Sequence, residues 1–214
     1  MEPKQFFDRI YWINSKNRPD RKKNMLKRLE GWEATHFEAV WMNRIDATKI
    51  DFHPDQVRRL DNGEIGCFLS HRRIYEIIEK DQLDKTLILE DDAEPTPDFM
   101  ERFAEQISQV PDDWDMIYLG QINCDSHIIQ DGRKAKTHAL KDNISHEIYS
   151  ANRCWLTHAY AVRGKAIGYL LEGTKQISYT IDAQLADLQS GLKVYAFHPN
   201  LINQDKTKSS LRKF

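Results

Sequence analysis

The stretch Thr86-Leu-Ile-Leu-Glu-Asp-Asp92 joins a short apolar run to three consecutive carboxylates. A compact run of this kind, rich in aliphatic residues, is typical of a buried strand. Similar strand patterns alternate along the chain with helical ones, which favours an α/β fold with a mixed, mostly parallel sheet flanked by helices. The strand patterns lie at residues 8–13, 86–90, 114–119, 157–162 and 192–197, and the helical patterns at 64–80, 165–172 and 181–188. Ligands of such sheets bind at the carboxyl ends of the strands, so these three acids mark the first candidate site.

Glu90, Asp91 and Asp92 follow a buried strand directly, and like charges held this close resist burial unless a cation compensates them. Hard divalent cations such as Mg2+ and Mn2+ prefer oxygen ligands. Because side chains alternate along an extended segment, Glu90 and Asp92 are expected on one side and Asp91 on the other. We predict that Asp92 binds a metal and that Glu90 or Asp91 binds hydroxyls of a sugar or ribose. A solvated acidic turn is the alternative interpretation.

The helical pattern over residues 64–80 carries two polar residues on its apolar face. Cys67 and Ile74 recur at helical spacing, and Ser70 and His71 fall between them. One explanation is a buried histidine that hydrogen-bonds to a main-chain carbonyl. The other is a supporting role in which Ser70 or His71 orients the acidic turn or a bound donor.

Composition limits the classes of function. The chain has 31 Lys+Arg against 33 Asp+Glu, a net charge of −2, and so lacks the basic excess of nucleic-acid-binding proteins. No stretch approaches the roughly 18 apolar residues of a membrane helix, and residues 1–8 lack the apolar core of a signal peptide. Three cysteines without a CxxC pair argue against a disulfide framework or a structural zinc site. We expect a single domain over residues 1–214, a cytoplasmic location and no nucleic-acid partner.

Two neighbouring motifs resemble glycosyltransferase family 25: Gly63-Glu-Ile-Gly-Cys-Phe-Leu-Ser-His71 and Leu87-Ile-Leu-Glu-Asp-Asp92. Further segments are similar to the family in the same order along the chain: Ile13-Asn14, Arg18-Pro-Asp-Arg21, Trp114–Gly120, His158–Val162, Ile181-Asp182, Tyr195–Pro199 and Gln204. The resemblance implies a GT-A-like fold and a nucleotide-sugar donor, most often a UDP-sugar. It also implies a metal-assisted, inverting transfer of a hexose such as galactose or glucose. In that fold a strand-end acidic motif binds the metal and the donor diphosphate, and Glu90-Asp91-Asp92 would supply it.

Asn14 and Arg18 lie where the first predicted strand leads into a helix, and the resemblance makes them donor ligands. Guanidinium groups and helix N-termini both favour phosphate. An exposed basic helix face that continues into Lys22 and Lys23 is the alternative interpretation.

Asp182 and His198 are the candidates from the C-terminal half of the resemblance. Asp182 matches the family's C-terminal acidic position, and as general base it would take the proton of the acceptor hydroxyl as that oxygen attacks the anomeric carbon. The alternative for Asp182 is the ordinary preference for an acid in the first turn of a helix. We expect His198 to be a further metal or phosphate ligand, although His198-Pro199 is equally typical of a turn that ends a strand.

The leading hypothesis is an inverting glycosyltransferase that uses Mn2+ or Mg2+ and a UDP-sugar. Its acceptor would be a glycan, a lipooligosaccharide or hydroxylysine, contacted by residues 121–155. The alternative is a nucleotide-sugar-binding partner subunit without turnover. A metal-dependent phosphoesterase is weaker, because it needs two metal sites and the sequence has one acidic cluster. The basic tail, residues 206–214, is expected to be solvated, to close over the donor, or to contact anionic lipid at the inner membrane face.

Overall fold

A computed structural model describes residues 1–41, 50–54, 59–122, 127–128, 134–135 and 140–205. The predicted acceptor segment, residues 121–155, therefore lies partly outside the described residues, and the basic tail lies wholly outside them. Within the described part of the chain, none of the helices combines the length and the apolar character needed to cross a bilayer.

The described residues form six α-helices and twelve strands. The helices are α1 (Pro3–Phe6), α2 (Pro19–Arg28), α3 (Asn62–Asp81), α4 (Phe99–Gln106), α5 (Gly164–Gly173) and α6 (Ile181–Leu188). The strands are β1 (Arg9–Asn14), β2 (Thr35–Glu38), β3 (Lys85–Glu90), β4 (Ala93–Pro95), β5 (Met116–Ile122), β6 (His127–Ile128), β7 (Lys134–Ala135), β8 (Leu140–Ser145), β9 (Ile148–Ala151), β10 (Trp155–Arg163), β11 (Val194–Phe197) and β12 (Ile202–Gln204).

Eight of these strands form one sheet in the order β2-β1-β3-β10-β5-β11-β9-β8. β1 is parallel to β2 and β3, and β5 is parallel to β11, whereas β10 runs antiparallel between β3 and β5. β9 is antiparallel to both β11 and β8. All of the eight except β9 and β10 therefore run in one direction, which confirms the predicted α/β fold with a mixed, mostly parallel sheet flanked by helices.

Helices cover both faces of the sheet, and the β3 sequence shows how. Leu87 and Leu89 pack into a core with Met25 of α2 and Phe103 of α4. Ile88 points to the opposite face, into a second core with α3, α5 and α6. A strand buried on both faces has no polar alternation, which explains the continuous apolar run in the sequence.

α3 runs for 20 residues and begins at a capping box. The side chain of Asp61 accepts a hydrogen bond from the N–H of Glu64 at 2.8 Å, and the side chain of Glu64 accepts one from the N–H of Asp61 at 2.9 Å. Ser70 and His71 are both fully buried, as their place on the apolar stripe predicts.

β4 and β12 form a separate antiparallel ribbon directly after the acidic turn. The N–H of Asp205 donates to the carbonyl of Asp92 at 2.7 Å. Arg28 of α2 holds the ribbon from outside, donating to the carbonyl of Ala93 at 3.2 Å and to the carboxylate of Asp205 at 2.9 Å. The ribbon thereby returns the C-terminal segment to the carboxyl end of β3.

Candidate functional site

A cavity of about 500 Å3 opens at the carboxyl ends of β1 and β3, beside the first turns of α2 and α3. Its walls come from residues 13–21, 39–41, 62–70 and 90–92 and from Gln204. Parallel strands end at the same edge of a sheet, and this edge is where α/β proteins bind ligands. Of the predicted site residues, Arg18, Glu90, Asp91 and Asp92 line the cavity.

Asp91 is held by the ends of β1 and α2. The side-chain amide of Asn14 donates to Asp91 Oδ2 at 2.8 Å, and the guanidinium of Arg21 makes a short contact with Asp91 Oδ1. Arg21 is 8% exposed, so this charge pair is largely removed from water. Asn14 therefore contacts the acidic turn in this structure, and its hydrogen bond to Asp91 joins the end of β1 to the end of β3.

Asp92 is the carboxylate with the least compensation. Its side chain accepts from Gln204 at 3.3 Å and from Arg21 at 3.4 Å through Oδ2, while Oδ1 is buried without a hydrogen-bond partner. Burial raises the pKa of Asp92 to about 7, and the charges of Glu90 and Asp91 add to that rise against the opposing effect of Arg21. The site thus holds more negative charge than its own residues neutralise.

Glu90 faces the other side of the turn. The hydroxyl of Thr157 donates a short hydrogen bond to Glu90 Oε1, and His71 Nε2 lies 3.4 Å from the same oxygen. Burial alone raises the pKa of Glu90, but the neighbouring His71 and Thr157 outweigh it and hold the pKa below its usual value. Glu90 is therefore ionised at pH values at which Asp92 still holds a proton.

Ser70 and His71 have separate partners inside the fold. Ser70 Oγ accepts from the N–H of Val40 at 2.8 Å and donates to the carbonyl of Gly66 at 2.6 Å, so it fastens the segment after β2 to α3. His71 Nδ1 lies 2.8 Å from the hydroxyl of Tyr160, and its Nε2 points toward Glu90. The predicted supporting contact of His71 with the acidic turn is thus present in the geometry, and Ser70 has a structural partner.

Arg18 lies at the cavity and caps α2. Its guanidinium pairs with Asp20, with Nε at 3.0 Å and Nη2 at 2.8 Å from the carboxylate oxygens. The start of α2 thus presents the guanidinium of Arg18 at the cavity edge, while the carboxylate of Asp20 accepts hydrogen bonds from the N–H groups of the first turn.

Asp182 lies in the first turn of α6, where its Oδ1 accepts from the N–H of Ala183 at 2.9 Å. Burial raises the pKa of the Cys67 thiol well above its usual value, and the charges of Glu90, Asp182, Asp92 and Asp91 raise it further. The charge of Asp182 therefore acts on a residue of the cavity wall, although Asp182 itself is not among the described residues that line the cavity.

His198 lines a different cavity, of about 890 Å3, together with Arg102, Glu147 and Asn203. The ribbon separates the two cavities, because consecutive residues of β12 point to opposite sides: Asn203 lines the second cavity and Gln204 the first. His198 and Asp92 therefore line different cavities, and the role of His198 as a further metal or phosphate ligand stays a prediction.

Several residues at the site could be predicted only in part from the sequence. Arg21 and Gln204 stand in segments of the family resemblance, yet their partners are 71 and 112 positions away from them along the chain. Thr157 and Tyr160 of β10 reach Glu90 and His71 because β10 is inserted next to β3. The sequence signal for Thr157 is a polar residue within an apolar strand pattern, whereas Tyr160 stands in the segment His158–Val162 of the family resemblance.

Comparison with known proteins identifies related chains. The family described as "Glycosyltransferase family 25 (LPS biosynthesis protein)" has a model that matches residues 7–185. "Procollagen galactosyltransferase 2" of Mus musculus is 33% identical over 148 residues, covering 56% of this chain and 24% of that protein. The "Glycosyltransferase 25 family member" of Drosophila melanogaster is 33% identical over 157 residues, covering 67% of this chain and 25% of that protein.

A third relative, the human "Inactive glycosyltransferase 25 family member 3", is 34% identical over 143 residues, covering 59% of this chain and 24% of that protein. The chain thus spans about a quarter of the length of these curated relatives.

Proposed function

The chain belongs to glycosyltransferase family 25, and from this premise we propose that its strand-end cavity transfers a hexose from a UDP-sugar to an acceptor hydroxyl with inversion at the anomeric carbon. The observation that carries the proposal is the under-compensated Asp92, buried in the wall of a cavity that Arg18 and Arg21 also line. Surplus carboxylate charge beside guanidinium groups suits a metal-bound diphosphate better than a neutral ligand.

The donor set at Asp92 fits a hard divalent cation. Asp92 Oδ1 is buried and has no hydrogen-bond partner, and all the carboxylate atoms at the turn are hard oxygen ligands. We assign Asp92 as the protein ligand for Mn2+ or Mg2+. Such an ion would supply positive charge for the departing diphosphate.

The remaining residues of the cavity suit donor recognition. Arg18, at the N-terminus of α2, would bind the diphosphate, and Glu90 or Asp91 would accept hydrogen bonds from sugar or ribose hydroxyls. Asn14 would hold Asp91 in place through their 2.8 Å hydrogen bond, so that Arg21 stays between Asp91 and Asp92. These roles need no rearrangement of the described hydrogen bonds at the turn.

Asp182 is the proposed general base. An inverting transfer needs one group that takes the acceptor proton while the acceptor oxygen attacks the anomeric carbon from the face opposite the leaving group. Asp182 is an acid of the α6 first turn whose charge reaches the cavity wall at Cys67. A glycan, a lipooligosaccharide or a hydroxylysine residue would fit as acceptor, since the family is associated with lipopolysaccharide biosynthesis and the relatives include a procollagen galactosyltransferase.

The test is a transfer and donor-hydrolysis assay with UDP-hexoses and Mn2+, run on wild type and Asp182→Asn. We expect the variant to keep donor binding and to lose turnover by about 100-fold or more, the usual contribution of general-base catalysis. Asp187→Asn is the matched control, because Asp187 lies on the same helix and forms an exposed pair with Arg153. Unchanged turnover in Asp182→Asn would remove Asp182 from the mechanism.

A partner subunit without turnover is the second candidate, and the relative named as inactive favours keeping it. Such a protein would bind a UDP-sugar with Mn2+ yet release neither UDP nor a transferred sugar at any acceptor. Asp182→Asn would then behave like wild type in every assay, whereas Asp92→Ala would still lose metal-dependent donor binding.

A further inference from the structure

Cys67 and His71 lie one turn apart on α3, so their side chains share a face of the helix. That face meets the end of β3, where Glu90 leaves the sheet. One ligand atom from each of these three residues, a thiol sulfur, an imidazole nitrogen and a carboxylate oxygen, lies within 4.8 Å of the other two. We propose that Cys67, His71 and Glu90 form a binding site for a soft divalent cation such as Zn2+, separate from the oxygen site at Asp92.

His71 provides the observation that points to a ligand. Its side chain is fully buried, and Nε2 meets Glu90 Oε1 in a long ion-pair contact of 3.4 Å that lacks good hydrogen-bond geometry. A buried nitrogen held by so long a contact is poorly satisfied, and a metal ion bound between it and the carboxylate is one way to satisfy both groups. The chemistry of the three atoms then selects the ion, because thiolate and imidazole favour Zn2+ over Mg2+ and Mn2+.

The spacing of the atoms suits a zinc ion. Bonds of about 2.0–2.3 Å place the ligand atoms of a tetrahedral zinc roughly 3.3–3.6 Å apart. The 3.4 Å between His71 Nε2 and Glu90 Oε1 already has this value. Because ligand atoms up to 4.8 Å apart must come to roughly 3.3–3.6 Å, the sulfur would have to approach the other two atoms by about 1.5 Å at most.

The surroundings of the site also match those of a metal-binding histidine. His71 Nδ1 lies 2.8 Å from the hydroxyl of Tyr160, which in turn lies 2.6 Å from the hydroxyl of Tyr75. A hydrogen bond at Nδ1 fixes the ring and leaves Nε2 free to bind the ion, the usual arrangement of such histidines. Cys67 and Glu90 line the 500 Å3 cavity, which gives the ion a path to the site.

A sequence search for paired cysteines misses this site. The chain has no CxxC pair, and the expectation of no structural zinc followed from that absence. Here a single cysteine is joined by a histidine from the same helix and a glutamate from a neighbouring strand. Three protein ligands leave a fourth position open, which is the pattern of an accessible rather than a purely structural zinc site.

The test uses Co2+ as a spectroscopic substitute for Zn2+, added to reduced, chelator-treated protein. We expect wild type to show the near-ultraviolet charge-transfer absorption of a cobalt–thiolate bond, and Zn2+ to abolish it by displacement. Cys67→Ser should lose the band and weaken Zn2+ binding more than about 100-fold, beyond the loss typical of an outer contact. Cys124→Ser and Cys154→Ser are the matched controls and should keep the band.

Tyr160→Phe tests the support of His71 without touching a ligand. We expect Zn2+ affinity to fall about 10-fold, whereas Tyr75→Phe, which leaves the Tyr160 contact with His71, should have little effect. Absence of the thiolate band in folded wild type, or its persistence in Cys67→Ser, would overturn the proposal. Mn2+ binding at Asp92 should survive Cys67→Ser. The proposed zinc site and the proposed Asp92 metal site are therefore tested independently of each other.

Discussion

The carboxylate of Asp92 is held where its ionised form is unfavourable. It is 7% exposed, and burial followed by the charge of Glu90 raises its pKa to about 7. In the unfolded chain an aspartate has a pKa of about 3.9. Between these two values the folded state keeps a proton that the unfolded state has lost, so this contribution to stability falls as pH rises from about 4 to about 7.

Asp92→Asn should therefore stabilise the metal-free protein at pH 8. One pKa unit corresponds to about 1.4 kcal/mol, and we expect the free energy of unfolding to rise by at least about 1 kcal/mol. The gain should vanish at about pH 3, below both pKa values, where both states are protonated. Urea unfolding at the two pH values, with chelator present, measures the difference. Asp112→Asn, at an exposed acid, is the control, and equal or lower stability of Asp92→Asn at pH 8 would contradict the expectation.

Arg21 is the buried cation that faces both Asp91 and Asp92. Removing one partner of a buried ion pair leaves an uncompensated charge and typically costs about 3–5 kcal/mol. We expect Arg21→Met to destabilise the metal-free fold by an amount in this range at neutral pH. Arg18→Met should have only a slight effect on stability, because Arg18 pairs with the exposed Asp20. Denaturant unfolding of the two variants measures both changes in the free energy of unfolding. Similar losses of stability in the two variants would contradict a special role for Arg21.

Among the elements, α3 and the segment after β2 form one wall of the cavity. A Cβ atom on Gly66 would lie 2.6 Å from the carbonyl oxygen of Val40, so α3 can approach this segment only with glycine there. Ser70 adds a hydrogen bond from the same side at 2.8 Å. The spacing between helix and segment thus depends on two small residues that are one turn apart.

Gly66→Ala should push residues 39–41 away from α3. We expect a loss of about 1–3 kcal/mol of stability, as for other overpacked sites, and weaker donor binding because Val40 and Trp41 line the cavity. Gly168→Ala is the matched control: it lies inside α5 with nothing within 4 Å of an added Cβ, and alanine should stabilise that helix slightly. Thermal melts and donor titrations of both variants make the comparison, and a stable Gly66→Ala with normal binding would refute it.

The elements were also the most predictable level of the structure. The apolar periodicity of α3 predicted the burial of Ser70 and His71, because helical spacing alone fixes which residues share a face. The strand before Glu90 followed from its aliphatic run. The pairing of Arg21 with Asp91 and of Gln204 with Asp92 did not follow, because contacts between residues so far apart in sequence depend on the strand order.

The strand order itself explains where prediction from the sequence stopped. A strictly alternating chain suggests parallel neighbours, yet β10 runs antiparallel between β3 and β5 and delivers Thr157 to Glu90. The ribbon then separates His198 from Asp92, although both follow the ends of strands that share one direction. Most strand directions could therefore be predicted from the sequence. The neighbouring strands, which determine where His198 and Thr157 lie, could not.

At the scale of the whole molecule, the cavity joins segments that are distant in sequence. Its walls include the end of β1, the start of α3, the acidic turn and Gln204 of the ribbon. A ligand that contacts all of them binds the folded state alone, so mass action stabilises the entire fold. At about 100 times its dissociation constant, such a ligand adds roughly 2.7 kcal/mol.

UDP with Mn2+ should accordingly raise the melting temperature by about 5–10 °C, because 1 kcal/mol shifts a protein of this size by about 2–4 °C. UMP with Mn2+ should give a much smaller shift, since it lacks the second phosphate that would join the metal at Asp92 to the α2 terminus. Asp92→Asn should lose the Mn2+-dependent part of the shift while still melting cooperatively. Equal shifts with UDP and UMP, or an Mn2+ effect that persists in Asp92→Asn, would place the metal and the diphosphate elsewhere.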